Sequence, residues 1–517
     1  MPRKLKKRYS YNKRNRKIRM VLTSLILLVV FLGLGYSALS TNLIINGTII
    51  VEKYDPNTTI YWALQDRNSD NIKETLVLSS EEVTGKEQGN FATNSSFSDS
   101  NQVPWIATSD YSTTSNKSYN VTTVNIEKEI RPMSTAYWFR GVGYNATRFS
   151  ANLSKLNTSR VTNMSYMFDS AGYNATTWDI GDLSGWDTSQ VTNMRGMFIA
   201  AGHSDDTFNI SYVENWNTSQ VTNMASMFSS AGENATTWNI GDLSGWNTSQ
   251  VTDMSYMFND AGYTATTWDI GNLSEWDTSQ VTYMEGMFGS SGYNATTYDI
   301  GDLSGWDTSK VKVMHYMFRN AGYNATTWNI GDLSNWNTSQ VTKLHYMFDY
   351  AGYNATTWNI GDLSNWNTSQ VSTMNNMFRY AGYNATTWNI GDLSNWNTSQ
   401  VTDMSSMFYY AGYKATNFNL NLSNWDTSQV STMTSMFRYA GYSATDFNLN
   451  LSNWNTSQVS TMSNMFSYAG RNATTFLITI PLTNGNGINN NNTRMYGSSA
   501  TRYANPPTGK SFTLATS

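Results

Sequence analysis

Asp182, Asp242, Asp302, Asp332, Asp362 and Asp392 each follow a glycine and recur at multiples of thirty residues. Carboxylates stacked in register repel one another unless a cation or a backbone donor offsets the charge, so calcium is the chemistry they invite. One carboxylate per repeat falls far short of the six to eight oxygens calcium takes, and Asn272 stands in the same slot. The expectation is therefore an Asx-turn aspartate facing water. Asp66, Asn68 and Asp70 open like a calcium loop, but Asn71 replaces its glycine and Val77 its bidentate glutamate, which leaves an ordinary turn. His315 and His345 lie one repeat apart and invite a shared metal; with no second ligand type beside them, they read as a solvated helix face. With three histidines and no cysteine, thiolate sites, disulfides and cysteine nucleophiles are excluded. No residue is assigned to catalysis, to a cofactor or to a metal, and the binding residues are unknown.

Aromatic residues form the other candidate set. Trp186, Trp216, Trp246, Trp276, Trp306, Trp336, Trp366 and Trp396 recur every thirty residues, then Trp425 and Trp454 follow with one residue dropped from each unit. Met194 and its equivalents run in phase. Side chains in step with a fold's own repeat are expected to be its core rather than a sugar-stacking surface. Trp178 and its equivalents lie on a candidate strand. The tyrosines of the AGYNAT segment, such as Tyr173, Tyr263, Tyr323, Tyr353 and Tyr383, are the better surface candidates, because tyrosine tolerates half exposure and contributes much at interfaces.

These residues need a scaffold, and the thirty-residue period supplies it. From about Ser134 to Ile480 eleven copies follow a degenerate first one, the pattern of a repeat array with a terminal cap. Within a unit, Asp187-Thr-Ser-Gln190 resembles a helix capping box, and Val191, Met194, Phe198 and Ala201 fall at spacings of three, four and three before Gly202. That spacing predicts a short helix. Thr177 to Ile180 alternates like a strand, and Gly181-Asp182 turns the chain. The predicted fold is thus an α/β repeat, a curved leucine-rich-repeat-like solenoid with one short strand and one short helix per turn. Strands packed closer than helices place the strand face on the concave side, where binding is expected.

The recurring W-[ND]-T-S-x-V-[TS]-x-M-x-x-M-F resembles the signature of the BspA-like leucine-rich repeat surface proteins of bacteria and mycoplasmas. It covers about two thirds of the chain, although thirty residues exceed the family's usual period. Leu32 to Asp55 resembles the export leader and first strand of Gram-positive surface proteins. The resemblance implies a secreted or surface-displayed, non-catalytic protein, some relatives being adhesive.

The termini agree with export. Ten of the 33 basic residues lie within residues 1 to 19, followed by fifteen uncharged residues from Val21 to Gly35; residues 1–40 read as a signal peptide or, if uncleaved, a membrane anchor over residues 20–39. The remaining 23 basic residues face 37 acidic ones, a balance that disfavours nucleic acid. Residues 41–131, with short apolar runs at Leu43–Val51, Thr59–Leu64, Thr75–Leu78 and Val121–Ile126, suggest a strand-rich N-terminal cap region. Residues 132–480 form the solenoid and 481–517 a C-terminal cap and flexible tail; Asn505 to Gly509 only faintly resembles a wall-sorting motif. The expected function is an extracellular binding or adhesion scaffold for a protein or glycan ligand, with a passive structural stalk as the alternative. A binder should gather irregular residues on one face. The deviant copy from Gly202 to Trp216 gathers acids and reads as either an interaction site or drift. Asn-x-Thr/Ser sequons such as Asn174 and Asn217 read as turn chemistry.

Overall fold

The computed structural model describes residues 59–67, 73–106, 117–210, 212–481 and 511–515. Of two compact units, Met1–Pro56 and Asn57–Ser517, only the second contains described residues. The export segment, the run Leu43–Val51, residues 68–71 and the tail motif at 505–509 lie outside them.

The described chain winds into a β-solenoid of about twelve turns, and the predicted α/β architecture is wrong. Among the described residues there is no α-helix, only single 3-10 turns such as Leu243–Gly245 and Leu363–Asn365. The segment expected to be helical is a run of tight turns. Met167, Asp169 and Ala171 donate their N–H groups to the carbonyls of Met164, Tyr166 and Phe168 at 3.2, 3.3 and 2.9 Å. The alternating donors Tyr166, Phe168 and Ser170 reach instead to Arg195, Met197 and Ile199 of the next coil at 2.8, 2.8 and 2.6 Å. Past its first turn, a helix bonds every donor to the carbonyl four residues back within the segment. Here Tyr166 and Ser170 sit in the left-handed region at φ 57°, and the corresponding residues of later coils repeat this. The left-handed residues rotate every second donor out of the coil. Spacings of three and four arise from successive turns as readily as from a helix, which is why the apolar pattern misled.

The strand half is as expected. Short parallel strands stack in register: β5 (Arg148–Asn152) on β6 (Thr177–Asp179), β7 (Thr207–Asn209) on β8 (Thr237–Asn239), β9 (Thr297–Asp299) on β10 (Thr327–Asn329), and β11 (Thr357–Asn359) on β12 (Thr387–Asn389). Each of these three-residue strands buries its central aromatic and exposes its flanks. Where the unit loses one residue the Gly-Asp corner disappears, and β13 (Asn417–Asn421) and β14 (Asp446–Asn450) run on for five residues. With no helix present, the mismatch between helix and strand spacing does not arise. The expectation of a concave strand face loses its basis.

The core is the repeat's own apolar set. Trp186 and its equivalents are at most 8% exposed, and Trp178, Met194, Met197 and Phe198 are buried with them. Trp276 stacks on Trp306 at 6.4 Å and 2°, Phe288 on Phe318 at 5.6 Å and 4°. From Trp246 onward each indole N–H in this column donates to a carbonyl of the preceding coil, as Trp306 does to Leu273 at 2.9 Å. The buried threonine of the N-T-S motif donates forward, Thr308 to the Asn337 carbonyl at 3.1 Å. Burying an aromatic of this kind is worth roughly 1.5–3 kcal/mol, and almost all of it depends on the neighbouring coil.

The array begins in a mixed sheet. β1 (Thr59–Gln65) pairs antiparallel with β2 (Thr75–Ser79) and with β3 (Glu87–Ala92), and β2 pairs parallel with β4 (Thr123–Ile126), which leads into β5. Three of the short apolar runs thus become strands. At the other end β15 (Thr475–Pro481) extends the parallel stack and takes β16 (Ser511–Ala515) beside it.

Candidate functional site

The aspartate column behaves as an Asx-turn. Asp302 and Asp332 accept the N–H groups of Ser304 and Ser334 at 2.9 and 2.8 Å, and Asp182 accepts from Ser184 at 2.7 Å. Hydrogen bonds to Ser184 and Ser304 hold the Asp182 and Asp302 carboxyls below the usual range. Where the next coil has a corner glycine, the carboxylate also rests on it: a Cβ built on Gly361, at φ 81°, meets Asp332 Oδ1 at 1.8 Å. Sequon asparagines do the same turn chemistry, Asn217 accepting from Ser219 at 3.1 Å. Asp187 accepts from Ser189 at 2.9 Å, so the presumed capping box closes a turn and starts no helix. Asp66 instead pairs with Lys86 at 2.8 Å, and Val77 is buried in β2.

The histidines are not on a solvated helix face. His315 and His345 stack at 4.5 Å, and His315 Nε2 lies 3.4 Å from Glu285 Oε2, one coil away, the second ligand type that chain order hides. Burial and the neighbouring His345 lower the His315 imidazole to about 4, and burial lowers that of His345. Among the described residues no group of three or more His, Asp or Glu is placed to hold a metal.

In the deviant copy, one acid turns inward while Asp206 stays exposed. Asp205 stands where other coils have alanine, is 2% exposed, and accepts the Trp178 N–H at 3.3 Å, while its Oδ2 has no partner. Burial pushes its carboxyl up to about 6. His203 takes a slot in the tyrosine column, stacks on Tyr173 at 4.2 Å, and meets Glu233 of the next coil at 3.3 Å.

The outward face of the turn ladder is different. The AGY tyrosines stack as a column, Tyr323, Tyr353, Tyr383, Tyr413 and Tyr442, with centroids 4.5 to 4.6 Å apart. Beside it runs a second column that the sequence reading missed: Tyr350, Tyr380, Tyr410, Tyr439 and Tyr468, at 4.3, 4.6, 4.2 and 4.5 Å. The second column occupies left-handed positions, with φ between 57° and 64°. Earlier coils fill that slot with Ser170, Ala200, Ser230, Asp260, Ser290 and Asn320. A bulky aromatic there costs backbone energy that serine, asparagine or glycine would reduce. The signal was legible as YAGY, confined to the last copies. Both columns are half-buried, and burial holds the phenols of Tyr350, Tyr383 and Tyr413 above the usual range, Tyr413 to about 12, so they stay protonated donors.

Arginines interleave. Arg379 lies 5.0 Å from the Tyr350 ring centre and is held bidentate by buried Asp349 at 2.7 and 2.9 Å; Arg319 shares that carboxylate at 3.5 Å. Arg438 lies 5.5 Å from the Tyr439 ring and Arg471 5.3 Å from Tyr468. Alongside, Asn324, Asn354 and Asn384 form an amide chain, each Nδ2 donating to the Oδ1 of the preceding coil at 2.6 to 2.9 Å.

A repeat solenoid whose rungs are held by turn and strand ladders is the class these features define. The chain belongs to the family described as Mycoplasma protein of unknown function, DUF285, whose model matches residues 113–203, 170–265, 230–330, 293–383, 322–438 and 380–495, together well over half of the sequence. No curated protein and no solved structure matches it.

Proposed function

We propose that the chain is an exported, non-catalytic bacterial surface protein whose solenoid serves as an extracellular recognition and adhesion scaffold. The observation that carries this reading is the second tyrosine column. Five consecutive rungs place tyrosine at a left-handed position that earlier rungs fill with smaller residues, and the fold does not ask for it. Tyrosine and arginine together are the composition of binding hot spots. Export rests on the basic segment at residues 3–19 and the apolar run after it. The His315–His345 pair and the Gly-Asp corner aspartates are engaged in stacking and Asx-turns, which supports a role without catalysis.

Two measurements test the reading. Protease added to intact cells should cleave the chain; protection of the full-length protein would sink the surface assignment. The full chain should bind saturably to a panel of matrix proteins, glycans and bacterial cells. The in-register deletion of residues 351–439, which joins Tyr350 to Ala440, should abolish that binding. Absence of binding to every panel member would favour a passive stalk.

A further inference from the structure

Stacking fixes what the tyrosine face can offer. With neighbouring rings 4.2 to 4.6 Å apart along each column, the ring faces are covered, which leaves the half-buried rings their edges and hydroxyls to present. Aromatic edges carry the positive part of the ring quadrupole. Sugar rings therefore cannot stack face-on within the columns, whereas acceptor oxygens and negative charge are favoured. The turn ladder and AGY loop of the last four coils (residues 375–384, 405–414, 434–443 and 463–472) carry Arg379, Lys414, Arg438 and Arg471 and no acid. Arg379 is paired with Asp349 of the coil before it, so Lys414, Arg438 and Arg471 make the strip basic on a chain whose formal charge is -4. Its backbone donors are spent between coils, as Tyr410 N–H to the Arg438 carbonyl at 2.9 Å shows, so no edge is offered for pairing a peptide strand. What remains is a row of hydroxyl, amide and cationic donors repeating along the solenoid axis.

We propose that the paired tyrosine columns from Tyr350 to Tyr468, with Lys414, Arg438 and Arg471 beside them, bind a linear anionic glycan, a carboxylated or sulfated polysaccharide lying along the axis. The proposal rests on the recognition reading above and names its ligand class. A linear polymer presents hydroxyl and charged oxygens at regular intervals, and the face presents donors at every rung. The acidic body of the chain repels the polymer elsewhere, so charge selects this strip.

The test measures binding of the full chain to hyaluronan, heparin, uncharged dextran and poly-glutamate at several salt concentrations. One variant replaces Tyr380, Tyr410 and Tyr439 by asparagine, the residue that slot already holds at Asn320; a second carries Arg438→Gln and Arg471→Gln. Hyaluronan or heparin should bind, weaken as salt rises, and lose about tenfold in affinity in each variant, while thermal melting confirms that both remain folded. The two glycans distinguish carboxylate from sulfate recognition. Equal binding of dextran would refute the anionic requirement, and preferential binding of poly-glutamate would reassign the face to an acidic protein. Undiminished glycan binding in both variants would place the site elsewhere. If no polymer binds while intact cells still do, the ligand class fails and the scaffold reading stands; if cells fail as well, both fall.

Discussion

At the scale of single residues, the repeat is most informative where it is broken. Asp205 fills an alanine slot with a buried carboxyl raised to about 6. An acid whose folded value lies above its unfolded one costs stability when ionised, and the cost fades as pH falls through 6 towards 4. Asp205→Ala should therefore stabilise the protein by roughly 1–2 kcal/mol at pH 7, after the loss of the Trp178 hydrogen bond, with a smaller gain at pH 4.5. Chemical denaturation at the two pH values measures this; an equal gain at both would disprove the buried charge. The histidine pair has the opposite sign. Its lowered values mean stability is full above about 6.5 and is lost as pH falls towards 4. Replacing His315 and His345 by asparagine, as at Asn375, should flatten that loss by on the order of 1–2 °C in Tm between pH 7 and 4.5. Wild-type and variant melting curves that stay parallel across this range would show that the imidazoles do not titrate. Asp205 could be found in the sequence as a departure from the repeat; its inward direction could not, because alanine slots are identified as core only once the turns are known.

At the scale of elements, the strand half of each coil was legible and the turn half was misread. Thr177-Trp178-Asp179 alternates, and alternation has one simple structural meaning. Val191, Met194, Phe198 and Ala201 do not, since consecutive turns place side chains inward at the same intervals as a helix. Gly196 and Gly286, together with Asn376, Asn464 and the serines at equivalent positions, were the available sign of left-handed backbone. The misreading also hid the YAGY column, because the predicted helix stops at the glycine equivalent to Gly352 and so separates Tyr350 from Tyr353. The corner glycines give a sharp test of the turn geometry. Gly361→Ala brings a methyl onto Asp332 and forces a positive φ, and should cost roughly 2–4 kcal/mol. Gly185→Ala, where a Cβ meets nothing within 4 Å, should change stability by less than about 0.5 kcal/mol. Equal melting temperatures for the two variants would contradict the described corner.

At the scale of the whole molecule, the far-ultraviolet circular dichroism should lack the paired minima of α-helix, and the near-ultraviolet signal should be strong from stacked indoles. A helical spectrum would restore the α/β solenoid. Stability should be close to a sum over rungs. Removal of residues 321–350, one complete coil, preserves every register and should lower Tm by only a few degrees, roughly the loss of one interface. Removal of residues 321–335 shifts every later strand and turn out of phase and should prevent cooperative melting.

The inter-coil hydrogen bonds of the array join residues mostly 27 to 33 positions apart, whichever coil is chosen. Chain-closure entropy grows only with the logarithm of loop length, so each coil closes at nearly the same cost. Relative contact order stays low despite a length of 517 residues, and local closure favours rapid folding. A chain emerging end first can therefore wind rung by rung onto the mixed sheet at its start, each finished coil templating the next before the rest of the polypeptide exists.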